Sequence, residues 1–135
     1  MNENQTTSGI IRTIFKSTEF EEFYDSLPNR VKEKFDYVFM IVQSVYNLPT
    51  KFVKHLETSD LYEMRVSVAT NEYRTILFAI DHRNVIEAKQ IILLNGFLKK
   101  SSKDYKKQVE KALTILNKYT DDTIWSKKVG AVGYY

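Results

Sequence analysis

The chain has 135 residues, 43% of them hydrophobic and 27% charged, which suits one compact domain and leaves little room for a second. It has no cysteine and only two histidines, so disulfide frameworks, thiol nucleophiles and the soft ligands that zinc favours are excluded or nearly so. No apolar run approaches the length needed to span a membrane, and MNENQTTSG lacks the basic-then-apolar order of a signal peptide, so the expected location is the cytoplasm.

Residues 1–9 are polar and predict a flexible N-terminus. Ile10 to Phe15 is apolar and β-branched enough for a short strand. Ser17 or Thr18 can cap a helix whose first turns carry Glu19, Glu21 and Glu22, where the helix dipole favours negative charge. Phe20, Phe23, Tyr24 and Leu27 recur at helical spacing along it. Pro28 is placed to open a second helix, with Val31, Phe35, Val38, Phe39, Val42 and Val45 on one side and Leu48-Pro49 at its end. Lys51 to Ser59 reads as a connector. From Leu61 to Val68 the period becomes two, placing Tyr62, Met64, Val66 and Val68 on one face and Glu63, Arg65 and Ser67 on the other. Tyr73 to Ile80 is the next strand. Val85 to about Phe97 follows a turn at Asp81–Asn84, and Gly96 closes that strand. A last helix runs from about Lys103 to Tyr119, with Tyr105, Val109, Ala112, Leu113 and Leu116 on its buried side. The order β-αα-βββ-α predicts an α+β domain over residues 10–120, a small sheet with helices on one side. Residues 121–135, with Trp125, Tyr134 and Tyr135, form a tail without an assigned role.

A net charge of +3 says little by itself, but its distribution says more. From Ser17 to Val38 acids outnumber bases. From Arg65 to Lys107, nine bases, among them Lys89, Lys99, Lys100 and Lys103, face only Glu72, Asp81, Glu87 and Asp104. That asymmetry predicts one positive surface and a polyanionic partner.

Three groupings can carry chemistry. Glu63 and Arg65 share a strand face about 7 Å apart, by twice the per-residue rise. There a carboxylate can take a proton from a hydroxyl while a guanidinium holds a phosphate; an ordinary pair on a solvated sheet face has the same spacing. Arg74, beside Tyr73 near a strand end, suits bidentate phosphate binding or a salt bridge to Glu63. Lys99-Lys100-Ser101-Ser102-Lys103 leads into a helix and offers lysines and free amides to phosphate, or simply solvates a loop. His55 and His82 fall in connectors, where an exposed histidine needs no function. No phosphate-loop, dinucleotide, HExxH or GxSxG motif is present.

The run Leu61-Tyr-Glu-Met-Arg65, then Tyr73-Arg74, then IILLNGFLKK ending at Lys100, resembles the phage-derived HigB-like branch of the RelE/ParE toxin superfamily, whose pattern is L-x-E-L-R, Y-R-x-L-Y and I-x-L-L-H-G-F-x-K-K-T-x-K. The likeness extends over roughly Ile11 to Tyr119. It implies a RelE-like mixed sheet and the toxin of a type II toxin–antitoxin system. The implied activity is ribosome-dependent cleavage of mRNA, in which the ribose 2′-hydroxyl attacks the adjacent phosphate without a metal or other cofactor. It further implies Glu63, Arg65 and Arg74 as catalytic residues, with Arg74 stabilising the transition state. Lys89 belongs to the basic set available to RNA, and Lys99, Lys100 and Lys103 match the family's lysine segment. A cognate antitoxin is the implied partner, in a heterodimer or heterotetramer, together with ribosome and mRNA. Asn95 stands where the family has histidine and Ser101-Ser102 where it has T-Q. The general acid has no clear counterpart, with Tyr105, Tyr134 and Tyr135 as candidates. Two other outcomes use the same fold: a ParE-like protein that binds DNA gyrase, and a catalytically silent binding module. A general RNA-binding module is disfavoured, since no exposed aromatic stacking pattern marks the strands.

Overall fold

The computed structural model describes residues 9–57 and 59–120; the tail aromatics Trp125, Tyr134 and Tyr135 lie outside them. Strand β1 (Thr13–Lys16) is followed by helices α1 (Thr18–Asp25) and α2 (Asn29–Ser44). Strands β2 (Val53–His55), β3 (Leu61–Val68), β4 (Asn71–Ala79) and β5 (Gln90–Leu98) then precede helix α3 (Ser102–Tyr119). The five strands form one sheet in the order β1-β5-β4-β3-β2. β1 runs parallel to β5, and the other neighbours are antiparallel.

The helix ends follow local chemistry. The Ser17 hydroxyl accepts from the Phe20 amide at 2.9 Å, capping α1, and donates to the Leu94 carbonyl, so the cap also ties α1 to β5. Ser101 caps α3 in the same way, accepting from the Asp104 amide at 3.1 Å.

α2 stops at Ser44, one turn before the expected end at Leu48, and the carbonyls at this end are taken up by Arg12. This side chain is fully buried, and its guanidinium donates to five carbonyls: Val42, Val45 and Tyr46 at the end of α2, and Val85 and Ile86 on the β4–β5 connection. The carbonyls a helix end leaves unpaired thus meet a cation that also complements the negative end of the dipole. Removal from water lowers the Arg12 pKa, opposed by Tyr46 and Glu87.

The helices cover both faces of the sheet, not one. On the first face α1 and α2 bury Phe20, Phe35, Phe39 and Val42 against Met64, Val66, Tyr73, Leu77, Ile91 and Leu93. On the second, α3 buries Ala112, Ile115 and Tyr119 against Leu61, Ile76, Ile92, Leu94 and Phe97. Leu113, expected inside, is exposed; Ile115 and Tyr119 take the buried stripe instead. The strand expected from Val85 begins only at Gln90, because Val85 and Ala88 are buried within the connection while Asp81 accepts from the Lys89 and Gln90 amides.

Two backbone details set the side chains that matter below. Ile76 pairs with Asn95 but Leu77 pairs with Leu93, so β5 bulges at Leu94. The extra residue restarts the alternation and turns both Asn95 and Phe97 toward α3, where Asn95 Nδ2 donates to Gln108. Gly96 does not close the strand but lies within it, against Phe23: a Cβ there would stand 2.4 Å from the ring. At the β3–β4 turn Ala69 holds φ at 56°, a conformation that favours glycine.

Candidate active site

Alternation along β3 sends Tyr62, Met64 and Val66 into the core under α1 and α2, leaving Glu63 and Arg65 on the face shared with α3. The helix covers that face only in part, so Glu63 is buried at 4% exposure while the Arg65 side chain remains 30% exposed. Arg65 lies directly across from Arg74 on β4, and Arg74 across from Phe97 on β5.

These side chains form one network. Glu63 Oε2 accepts from Arg65 Nε at 2.6 Å and lies 3.7 Å from Arg74 Nε, too far for a hydrogen bond. Glu63 Oε1 accepts from the Tyr105 hydroxyl, contributed by the first turns of α3. Arg74 spends one terminal nitrogen on Glu72 at 3.2 Å and on its neighbour's carbonyl at Tyr73, and its buried Nε has no hydrogen-bond partner. The Ser67 hydroxyl, then Arg74, hold Glu72 below the ordinary carboxylate range against the opposing effect of burial. Two guanidinium groups facing each other are therefore neutralised by two carboxylates, one beneath them and one at the strand end.

Tyr105 is fixed by packing as well as by its hydroxyl. Its ring meets Phe97 edge-on with centroids 5.7 Å apart, a contact made possible by the bulge that turns Phe97 to this side. Burial and donation to Glu63 push the Tyr105 hydroxyl well above the phenol range, so it keeps its proton at neutral pH.

Above the network lies an open groove of about 390 Å³, with Glu63, Arg65 and Tyr105 on its floor and Lys54, Lys99 and Lys100 among its walls. The expected residues distribute unevenly around it. Glu63, Arg65, Lys99, Lys100 and Tyr105 line the groove. Arg74 lies behind them, its side chain 7% exposed, and does not line it. Lys103 is exposed on α3 outside the lining. Lys89 precedes β5 at the end remote from Lys99, roughly 30 Å away at about 3.3 Å per strand residue, so it does not join this site. His82 is exposed on the β4–β5 connection, where its Nδ1 accepts from the Asn84 amide. His55 packs its ring on Tyr62 with centroids 4.9 Å apart.

Lys54 was not anticipated. It belongs to β2, a three-residue strand within the stretch expected to be a connector, and three residues of alternation are too few to stand out in sequence.

The order of the strands, the helices on both faces and the ionic cluster at the uncovered part of the sheet define the class: an α+β domain of RelE-like fold with a groove over paired arginines. The chain belongs to the phage-derived Gp49-like protein family (DUF891), whose model matches residues 22–117. Among solved structures, an arginine double mutant of the E. coli toxin RelE in the free state is similar with a TM-score of 0.54 and 15% identity. The alignment covers 76% of this chain and 98% of that one, a likeness of fold. No curated protein matches the sequence.

Proposed function

We propose that this chain is the toxin of a type II toxin–antitoxin pair and cleaves mRNA on the ribosome by metal-free attack of a ribose 2′-hydroxyl. The observation that carries the reading is the joining of Glu63, Arg65, Arg74 and Tyr105 in one network beneath a groove with lysine walls. A scissile phosphate entering that groove meets Arg65 first, the guanidinium that is still partly exposed. Glu63 retains lone pairs beyond those bound by Arg65 and Tyr105, and one of them takes the proton of the 2′-hydroxyl. The 2′-oxygen then bonds to phosphorus, Arg65 stabilises the added negative charge, and the bond from phosphorus to the 5′-oxygen breaks. Tyr105, which holds its proton at neutral pH, donates it to the departing oxygen. The proton left on Glu63 returns to Tyr105 through their hydrogen bond, and the products are a 2′,3′-cyclic phosphate and a free 5′-hydroxyl. Arg74 acts from behind as a positioning residue, its Nε 3.7 Å from Glu63 Oε2.

In this reading a cognate antitoxin, in a heterodimer or heterotetramer, neutralises the toxin in the cytoplasm. A catalytically silent binding module is the second reading. It is favoured by the near-complete internal satisfaction of the network, in which Arg74 is covered and both Glu63 oxygens are engaged. Primer extension on mRNA from a translation reaction separates the two. The ribonuclease reading expects cuts that fall at least about 100-fold in Arg65→Ala and Tyr105→Phe. Growth arrest without cuts, or with inhibited gyrase, would move the protein to a binding role.

A further inference from the structure

Lys54 of β2 stands directly opposite Glu63 in the antiparallel register, and residues so paired project from the same face of the sheet. The acid facing it across the strands is therefore Glu63, yet the two form no ion pair, and that carboxylate is bound instead by Tyr105 at Oε1 and Arg65 at Oε2. Among the described residues Lys54 takes part in no ion pair, including with Glu57 on the same wall of the groove. An exposed ammonium group on a flexible stem is thus left facing the groove with its charge uncommitted. Lys99 and Lys100 enter the same groove from the far side, at the end of β5, two strands beyond β3. Across the sheet the order is Lys54 on β2, Glu63 and Arg65 on β3, Arg74 on β4, then the lysine pair after β5. Cations therefore stand on both sides of the floor at which the reaction above would occur.

We propose that Lys54 and the Lys99–Lys100 pair hold the RNA backbone on opposite sides of the scissile phosphate, so that the two rims fix the direction in which a single strand crosses Glu63 and Arg65. A lysine serves such a role as a mobile point charge, contributing affinity without demanding a bidentate geometry. The proposal rests on the ribonuclease reading and adds to it a substrate contact and a polarity.

The test uses the full chain, ribosomes programmed with a short synthetic mRNA, and single-turnover cleavage followed as a function of complex concentration and salt. Lys54→Ala is expected to raise the half-saturating concentration about tenfold, the weight of one charge-assisted hydrogen bond, with the saturated rate within about threefold. Lys54→Arg should restore affinity, and Lys89→Ala, remote from the groove, should behave as wild type. In mRNAs with one neutral methylphosphonate linkage placed at successive positions, the Lys54→Ala penalty should vanish at a linkage on one side of the cut. The penalty of Lys99→Ala/Lys100→Ala should vanish on the other. A Lys54→Ala enzyme indistinguishable from Lys89→Ala would overturn the proposal and leave the ribonuclease reading standing. So would a penalty that persists at every linkage, or one that vanishes on the same side as that of the lysine pair. Failure of the wild-type chain to cleave any programmed mRNA would instead remove the ribonuclease reading, and this proposal with it.

Discussion

Replacing Glu63 by glutamine keeps the shape of the side chain and removes the charge between two arginines. Arg65 can respond by turning its partly exposed guanidinium to water, whereas Arg74 cannot, since its side chain is only 7% exposed. At the 3.7 Å separation of Arg74 and Glu63, a unit charge pair is worth about 4 kcal/mol gross at an effective dielectric of about 20. Part of that is offset because the buried carboxylate no longer has to be desolvated, and Glu72 continues to neutralise Arg74 at 3.2 Å. The amide oxygen also keeps one acceptor for Arg65 or Tyr105. A net loss of about 2 kcal/mol remains, below the roughly 3–5 kcal/mol that breaking a buried pair costs, because Glu72 still compensates Arg74. Urea unfolding at pH 7 measures it as a lower midpoint with unchanged slope, alongside a fall in cleavage of at least about 100-fold for a lost general base. A Glu63→Gln chain as stable as wild type, or more so, would refute the argument that this carboxylate neutralises Arg74.

Arg12→Lys should destabilise by about 3 kcal/mol or more in the same assay, since three donors on a flexible stem cannot replace five in a planar fork, and carbonyls at the end of α2 lose partners; a loss under about 1 kcal/mol would contradict that role. Ala69→Gly should stabilise by about 0.5–1 kcal/mol, because φ at 56° strains any residue with a Cβ; destabilisation would show that the turn does not hold this conformation in solution. The Tyr24 hydroxyl donates to Asp36 at 2.6 Å, and that bond, with burial second, pushes its pKa up to about 12. A folded pKa above the unfolded value of about 10 means a contribution fully present below pH 10 and lost as pH rises from 10 to 12. Ultraviolet titration of tyrosinate in wild type and Asp36→Asn should show one phenol moving down toward 10, and an unmoved titration curve would count against the bond.

Periodicity carried most of the fold into view. Phe20, Phe35, Val38 and Val42 announce two helices, and the alternation from Tyr62 to Val66 both places β3 and assigns its faces, because one face must be dry. The features that escaped depend on partners distant in sequence. Arg12 reads as a surface charge beside a short strand, and only the carbonyls of residues 42–46 and 85–86 make it a buried tie. The bulge at Leu94 leaves no local sign, yet it decides that Phe97 faces Tyr105. Glu63 and Arg65 could be named from the sequence because the motif places them, and Tyr105 only as one of three candidates for the acid; their mutual engagement could not, since it requires α3 to fold back over β3. Spacing alone allows Arg74 a direct contact with phosphate; its side chain, 7% exposed, lies behind Glu63.

The central claim is that a ribose 2′-hydroxyl is the nucleophile, and a single 2′-deoxy nucleotide tests it most directly. An mRNA carrying that substitution at the mapped cut, presented on the ribosome to the wild-type chain, should survive at that position while neighbouring permitted sites are still cut. The unmodified mRNA should end in a 2′,3′-cyclic phosphate. Cleavage of the deoxy position at the unmodified rate, leaving a linear phosphate, would contradict the account.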